Sequence, residues 1–118
     1  MRVSGHFRDY VLDQLSGLPG LRAQAMFGGV GLYAGDVFFG IIAADVLYFK
    51  VNEDTRRAYE AAGSKPFKPY ADRAVTMGYY EVPVEVLETP ATVQQWARQA
   101  VGVASKATAG RAKRTRDR

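Results

Sequence analysis

Between Gln24 and Val51 the chain offers only short apolar runs, cut by glycines and by turn signals, and no helix fits there. Ala23-Gln24-Ala25-Met26-Phe27-Gly28-Gly29-Val30-Gly31-Leu32-Tyr33 reads as one strand whose glycines mark a bulge or a close backbone approach. Ala34-Gly35-Asp36 is a hairpin turn. Val37 to Ala43 is apolar on both faces, as a central strand is. Ala44-Asp45 turns the chain again, and Val46 to Val51 completes a three-stranded antiparallel meander. In that last strand Leu47, Phe49 and Val51 share one face, and Tyr48 and Lys50 share the other.

Helical patterns flank the meander. Ser4 can cap a helix carrying Phe7, Tyr10, Val11, Leu15 and Leu18 as one stripe, ended by Gly17 and Leu18-Pro19-Gly20. Asn52 can cap a middle helix with Tyr59 and Ala62 on one side and Gly63 at its end. A loop is expected over 64–74 and a strand over 75–82, with a break at Gly78. Val82-Pro83 leads into a turn or short helix at 83–88. Thr89-Pro90 starts the clearest amphipathic helix, with Val93, Trp96, Ala97, Ala100, Val101 and Ala104 on one face. The fold class is therefore α+β. An antiparallel sheet, made of the meander plus one or two later strands, packs with N-terminal, middle and C-terminal helices.

A chain of 118 residues, 47% hydrophobic, suits one domain with its own core. There is no cysteine, which excludes disulfides, thiolate nucleophiles and Cys-ligated zinc. Polar residues interrupt the N-terminus at once, unlike a signal peptide. The longest apolar run, Val37 to Ala44, is eight residues, against the roughly 20 needed to span a bilayer. A cytoplasmic location is expected. The net charge of +4 divides unevenly: residues 106–118 carry +5 and residues 1–105 carry −1. Residues 1–105 are expected to form the domain, and 106–118 a basic, disordered tail.

Several local patterns suggest chemistry and then fail on context. Gly29-Val30-Gly31-Leu32-Tyr33-Ala34 fits the loose G-x-G-x-x-A pattern of dinucleotide-binding turns. That motif needs a following helix N-terminus, whereas a turn and another strand follow here. A glycine-rich strand that lets the first helix pack closely is the better reading. His6 is the only histidine and precedes the helix stripe, so a surface role outweighs one as general base. No metal-ligand spacing or nucleophile elbow is present. Glu81, Glu85 and Glu88 around Pro83 read as solvated or helix-capping charges before acid–base partners. Lys50, beside Tyr48, could bind an anion, though snorkelling over the sheet or pairing with a carboxylate is commoner. The tail residues Arg111, Lys113, Arg114, Arg116 and Arg118 could contact phosphates or simply solubilise the chain.

Taken in order, Met26-Phe27-Gly28-Gly29-Val30-Gly31-Leu32-Tyr33, Leu47-Tyr48-Phe49-Lys50-Val51, Ala62-Gly63-Ser64-Lys65-Pro66-Phe67, Tyr79-Tyr80-Glu81-Val82-Pro83 and the closing helix with Trp96 resemble the N-terminal domain of the TfoX/Sxy family. The likeness covers about residues 7–104. It implies an α+β domain with an antiparallel sheet against helices. It implies kinship with regulators of natural competence, which act on transcription, and no enzymatic activity or cofactor. The signature residues it picks out, with a structural role expected, are Met26, Phe27, Gly28, Gly29, Gly31, Tyr33, Tyr48, Lys50, Gly63, Phe67, Tyr80 and Pro83. Full-length competence regulators of the family carry a second, C-terminal domain, where this sequence has only the basic tail.

The function expected is a non-catalytic regulatory or interaction module linked to transcription, with a protein partner, as monomer or homodimer. One alternative is an accessory nucleic-acid binder using the tail. Another is a small-molecule binder with a pocket between the sheet and the 64–74 loop, to which Lys50, Tyr48 and Tyr80 would supply polar groups.

Overall fold

The computed structural model describes residues 4–26, 28–67 and 76–116, with the side chains at 76–77 and 107–116 excepted. The chain order is α1 (Gly5–Gln14), β1 (Leu21–Met26), β2 (Gly29–Ala34), β3 (Val37–Ala43), β4 (Val46–Lys50), α2 (Arg56–Ala61), β5 (Pro66–Phe67), β6 (Thr76–Glu81), α3 (Val84–Leu87) and α4 (Pro90–Arg116). The strands form one antiparallel sheet in the order β1-β2-β3-β4-β6-β5. The α+β class expected from the sequence holds.

The helices begin where local chemistry says they should. Ser4 Oγ accepts from the Phe7 amide at the start of α1. Asn52 Oδ1 accepts from the Asp54 and Thr55 amides, which caps a turn that leads into α2 rather than α2 itself. Gly63, at φ +80°, takes the left-handed conformation that ends α2. The Thr89 carbonyl accepts from the Thr92 and Val93 amides as α4 begins.

One hydrophobic cluster joins all four helices to the sheet. It holds Val11 and Leu15 of α1, Tyr59 of α2, Leu87 of α3, and Val93, Ala97, Ala100 and Ala104 of α4. Against them lie Val30, Leu32, Phe39, Ile42, Leu47, Phe49 and Tyr80 from the strands. The helix stripes read from the sequence are thus the buried faces, except that Ala62 and Tyr10 are exposed.

The meander differs from its reading in one strand. The glycine-rich stretch is a hairpin, β1 and β2, so the meander has four strands. Gly28 reverses the chain at φ +80°, a conformation that Gly reaches without strain. The bulge lies one strand further on. Leu32 pairs with Gly40 and Tyr33 with Phe38, which leaves Phe39 as the extra residue in β3. Phe39 therefore turns inward beside Phe49, with ring centroids 5.7 Å apart. With Phe39 and Ile42 in the core and Phe38 and Ile41 on the opposite face, β3 is apolar on both sides, as expected of a central strand.

Three smaller expectations change. Strand β6 runs through Gly78 without a break. The expected 64–74 loop contains the short strand β5, while 68–75 lie outside the described residues. The backbone of α4 stays helical to Arg116, where a disordered tail was expected after Lys106. Alanine, lysine and arginine are strong helix formers, and a helix already nucleated by a docked segment propagates readily. Among the described residues, no helix is long and apolar enough to cross a membrane.

Candidate functional site

Strand alternation sends one set of side chains into the helix-packed core and the other set to the opposite face of the sheet. Pairing fixes which residues meet on that second face: Met26 lies opposite Gly29, Gln24 opposite Gly31, Arg22 opposite Tyr33, Ile41 opposite Tyr48, and Lys50 opposite Tyr79. The bulge at Phe39 keeps Phe38 on this side, opposite Tyr33.

The rings form a strip across four strands. Tyr33 and Phe38 have centroids 5.2 Å apart, and Phe38 and Tyr79 5.9 Å apart. A second pair, Tyr48 and Phe67, sits at 4.8 Å. These tilted contacts are favourable aromatic geometry. A cation lies over each end of the first strip. The Arg22 guanidinium is 4.6 Å from the Tyr33 centroid, and Lys50 Nζ is 5.0 Å from the Tyr79 centroid. Arg22 Nε also donates to the Gly35 carbonyl at 3.2 Å. Neither cation is within ion-pair distance of a carboxylate among the described residues. The Tyr48 hydroxyl titrates above the usual phenol range, because burial penalises its anion and because the Glu81 carboxylate is near.

Glycines make this packing possible. A Cβ at Gly31 would meet Met26 Cε and Phe38 Cε1, each at 3.0 Å. One at Gly29 would come 2.7 Å from the Ile42 carbonyl oxygen. One at Gly78 would come 3.1 Å from Lys50 Nζ. The expected reason for the glycine-rich strand, close packing of the first helix, is therefore corrected. The clearances at Gly29 and Gly31 are toward Ile42, Met26 and Phe38, within the sheet.

The signature residues divide by place. Met26, Gly29, Gly31, Tyr33, Tyr48, Lys50 and Phe67 come together on the helix-free face. Gly28 and Gly63 shape turns. Pro83 is the residue just before α3. Phe27 lies outside the described residues. Tyr80 is on the other side of the sheet, buried, and its hydroxyl donates to Glu60 Oε2 at 2.9 Å. The pocket expected from Lys50, Tyr48 and Tyr80 therefore does not form from those three groups. Along β4 and β6, paired residues alternate sides, and Tyr80 falls on the wrong one. Of the tail residues, Arg111, Lys113, Arg114 and Arg116 belong to the helical backbone of α4, with their side chains outside the described set, as is all of Arg118.

Reading the sequence alone misses Arg22, Phe38, Ile41 and Tyr79 as members of this face. The signal was alternation itself, hidden at Phe38-Phe39 by the bulge. His6 is exposed on α1, and Glu85 and Glu88 are exposed around α3. Among the described residues no group of three His, Cys, Asp or Glu is placed to hold a metal ion. What the helix-free face can do is make ring stacking, cation–π and charge contacts with something laid on it.

A family model described as the TfoX N-terminal domain matches residues 13–104. No curated protein matches the chain.

Proposed function

The chain belongs to the TfoX N-terminal domain family, and from that premise we propose that it is a non-catalytic interaction module in a regulatory pathway acting on transcription, working through the helix-free face of its sheet. The observation that carries this reading is the gathering of Met26, Gly29, Gly31, Tyr33, Tyr48, Lys50 and Phe67 on that one face. Stability alone would be served by the helix-packed core. Here, half-buried rings and two cations, neither within ion-pair distance of a carboxylate among the described residues, occupy the surface opposite it. Aromatic residues and arginine are the groups most enriched where proteins bind one another.

Affinity capture from native lysate tests the proposal. The wild-type chain retains a component of the transcription machinery. Lys50→Glu and Tyr33→Ser lose it, and Arg57→Glu, on an exposed position of α2, keeps it. Equal capture by all four proteins, or no capture above background across several growth states, overturns the reading.

One observation favours a second reading. The α4 backbone continues as helix to Arg116, and residues 106–118 carry a net +5. A basic helical arm of this kind can follow nucleic-acid phosphates, with an affinity that falls steeply with salt. Deleting 106–118 then abolishes binding to a random DNA duplex. Unchanged affinity removes the arm from consideration.

A further inference from the structure

The two edges of the sheet are treated differently. Strand β5 is two residues long and begins with Pro66, and a short, proline-bearing edge resists pairing. Strand β1 is six residues long, holds no proline, and pairs with β2 without a register shift. Arg22 to Ala25 are all exposed. Its one charge does not guard the edge, since the Arg22 guanidinium is drawn over Tyr33 and toward the Gly35 carbonyl.

The ladder shows which backbone groups are open. The Gly35 amide donates to the Gly20 carbonyl at 2.8 Å, so Gly20 and Gly35 form a hydrogen-bonded pair. Such pairs alternate along an antiparallel ladder. With Leu21 opposite Ala34, the backbone groups of Arg22, Gln24 and Met26 turn toward β2. Those of Leu21, Ala23 and Ala25 turn outward. The Leu21 amide reaches back to the Leu18 carbonyl at 3.4 Å. The Leu21 carbonyl and both backbone groups of Ala23 and Ala25 face the open edge.

We propose that β1 pairs antiparallel with β1 of a second copy of this chain, about a two-fold axis at Ala23. In that register the two Ala23 residues exchange two hydrogen bonds. Each Ala25 amide donates to the Leu21 carbonyl of the other copy. Four backbone bonds form with no change in the chain. On the helix side, Ala23 meets Ala23 and Leu21 meets Ala25, which are small enough for close approach. On the other face, Arg22 meets Gln24, and no like charges stand opposite each other. An open groove of about 680 Å³, lined by Leu18, Pro19, Ala34 and Val101 among others, adjoins the start of β1 and adds apolar surface to the contact. A two-fold axis perpendicular to the sheet leaves both aromatic faces on the same side. The dimer carries a continuous twelve-stranded sheet, with Arg22 and Gln24 at the seam of one extended face.

Sedimentation equilibrium of the full chain, from micromolar to sub-millimolar concentration, tests this. The wild type is expected to approach twice the monomer mass of 13.0 kDa. Ala23→Pro removes an outward-facing amide and leaves the β1–β2 ladder intact, so it yields a monomer with an unchanged circular dichroism spectrum. Ala23→Lys places like charges at the axis and raises the dimer Kd by about a hundredfold, which decides the matter should the proline variant fail to fold. A wild type that stays monomeric over the whole range, or a dimer that persists in Ala23→Lys, overturns the proposal.

Discussion

Gln14 Nε2 donates to the Leu87 carbonyl at 2.8 Å, across 73 positions of sequence, and this buried bond ties α1 to the end of α3. The contact is extended by Gln94, whose Nε2 donates to the Gln14 carbonyl at 3.0 Å. Gln14 is 9% exposed, the one buried polar side chain among the described residues apart from the tyrosines. Replacing it with leucine keeps the volume and strands the Leu87 carbonyl. Gln14→Leu is expected to lower the unfolding free energy by about 1–3 kcal/mol, the penalty for an orphaned buried acceptor. Urea unfolding measures it. A loss near zero would mean that the bond contributes nothing net.

The β3–β4 turn holds Ala44 at φ +52° and Asp45 at φ +57°. Two successive positive φ values fit a two-residue hairpin turn of the I′ kind. Aspartate tolerates that region and alanine does not, because its Cβ crowds the following carbonyl. Asp45 is also held by its side chain, whose Oδ1 accepts from the Ser4 amide at 2.7 Å. Ala44→Gly relieves the strain at a position already defined by its neighbours. Its thermal midpoint is expected to rise, with a gain of roughly 0.5–1 kcal/mol. A lower midpoint would show that the alanine is unstrained.

What could be read early was local. The Ser4 cap and the run Val93, Ala97, Ala100, Ala104 depend on neighbours within one or two turns, and both stand as expected. The split of the glycine-rich stretch was not legible, because the sequence before and at Gly28 lacks the Asn-Gly or Asp-Gly pair that marks a tight hairpin. The bulge at Phe39 was hidden for a related reason. Two consecutive inward residues look like a fully buried strand when only composition is visible. The candidate face draws Arg22, Tyr33, Phe38, Lys50 and Tyr79 from five strands, so it exists only once register is known. Motif likeness had picked out some of its members without saying that they meet.

Glycine substitutions separate tight positions from open ones. A Cβ at Gly29 would sit 2.7 Å from the Ile42 carbonyl oxygen, a backbone atom that cannot swing aside. Gly29→Ala is expected to destabilise by about 1–3 kcal/mol through forced strand separation. Gly102 is exposed in α4, and a Cβ there meets nothing within 4 Å. Gly102→Ala is expected to stabilise by about 0.5–1 kcal/mol, the helix-propensity difference. Chemical denaturation of the pair checks both signs. The same sign for both would contradict the packing described.

Tyr59 supplies the alkaline limit of stability. Its ring is 1% exposed, packed edge-on to Trp96 at 4.8 Å and beside Tyr80 at 6.2 Å. Its hydroxyl is buried, with no hydrogen-bond partner among the described residues. Burial pushes that hydroxyl well above the usual phenol range. A folded-state pKa above the unfolded one gives stability that is fully present below the unfolded value, about 10. It is lost progressively as pH rises past that point, because the unfolded chain gives up the proton first. Tyr80 and Tyr48 are shifted in the same direction, also chiefly by burial, so part of the alkaline slope belongs to them. Tyr59→Phe removes the largest contributor. Between about pH 9 and 11 its thermal midpoint is expected to fall less steeply than that of the wild type. At neutral pH the same change deletes an unpaired hydroxyl and keeps the ring, so stability stays equal or rises by up to about 1 kcal/mol. Parallel alkaline slopes, or a clear loss at neutral pH, would mean that the hydroxyl finds a partner in solution, such as a buried water.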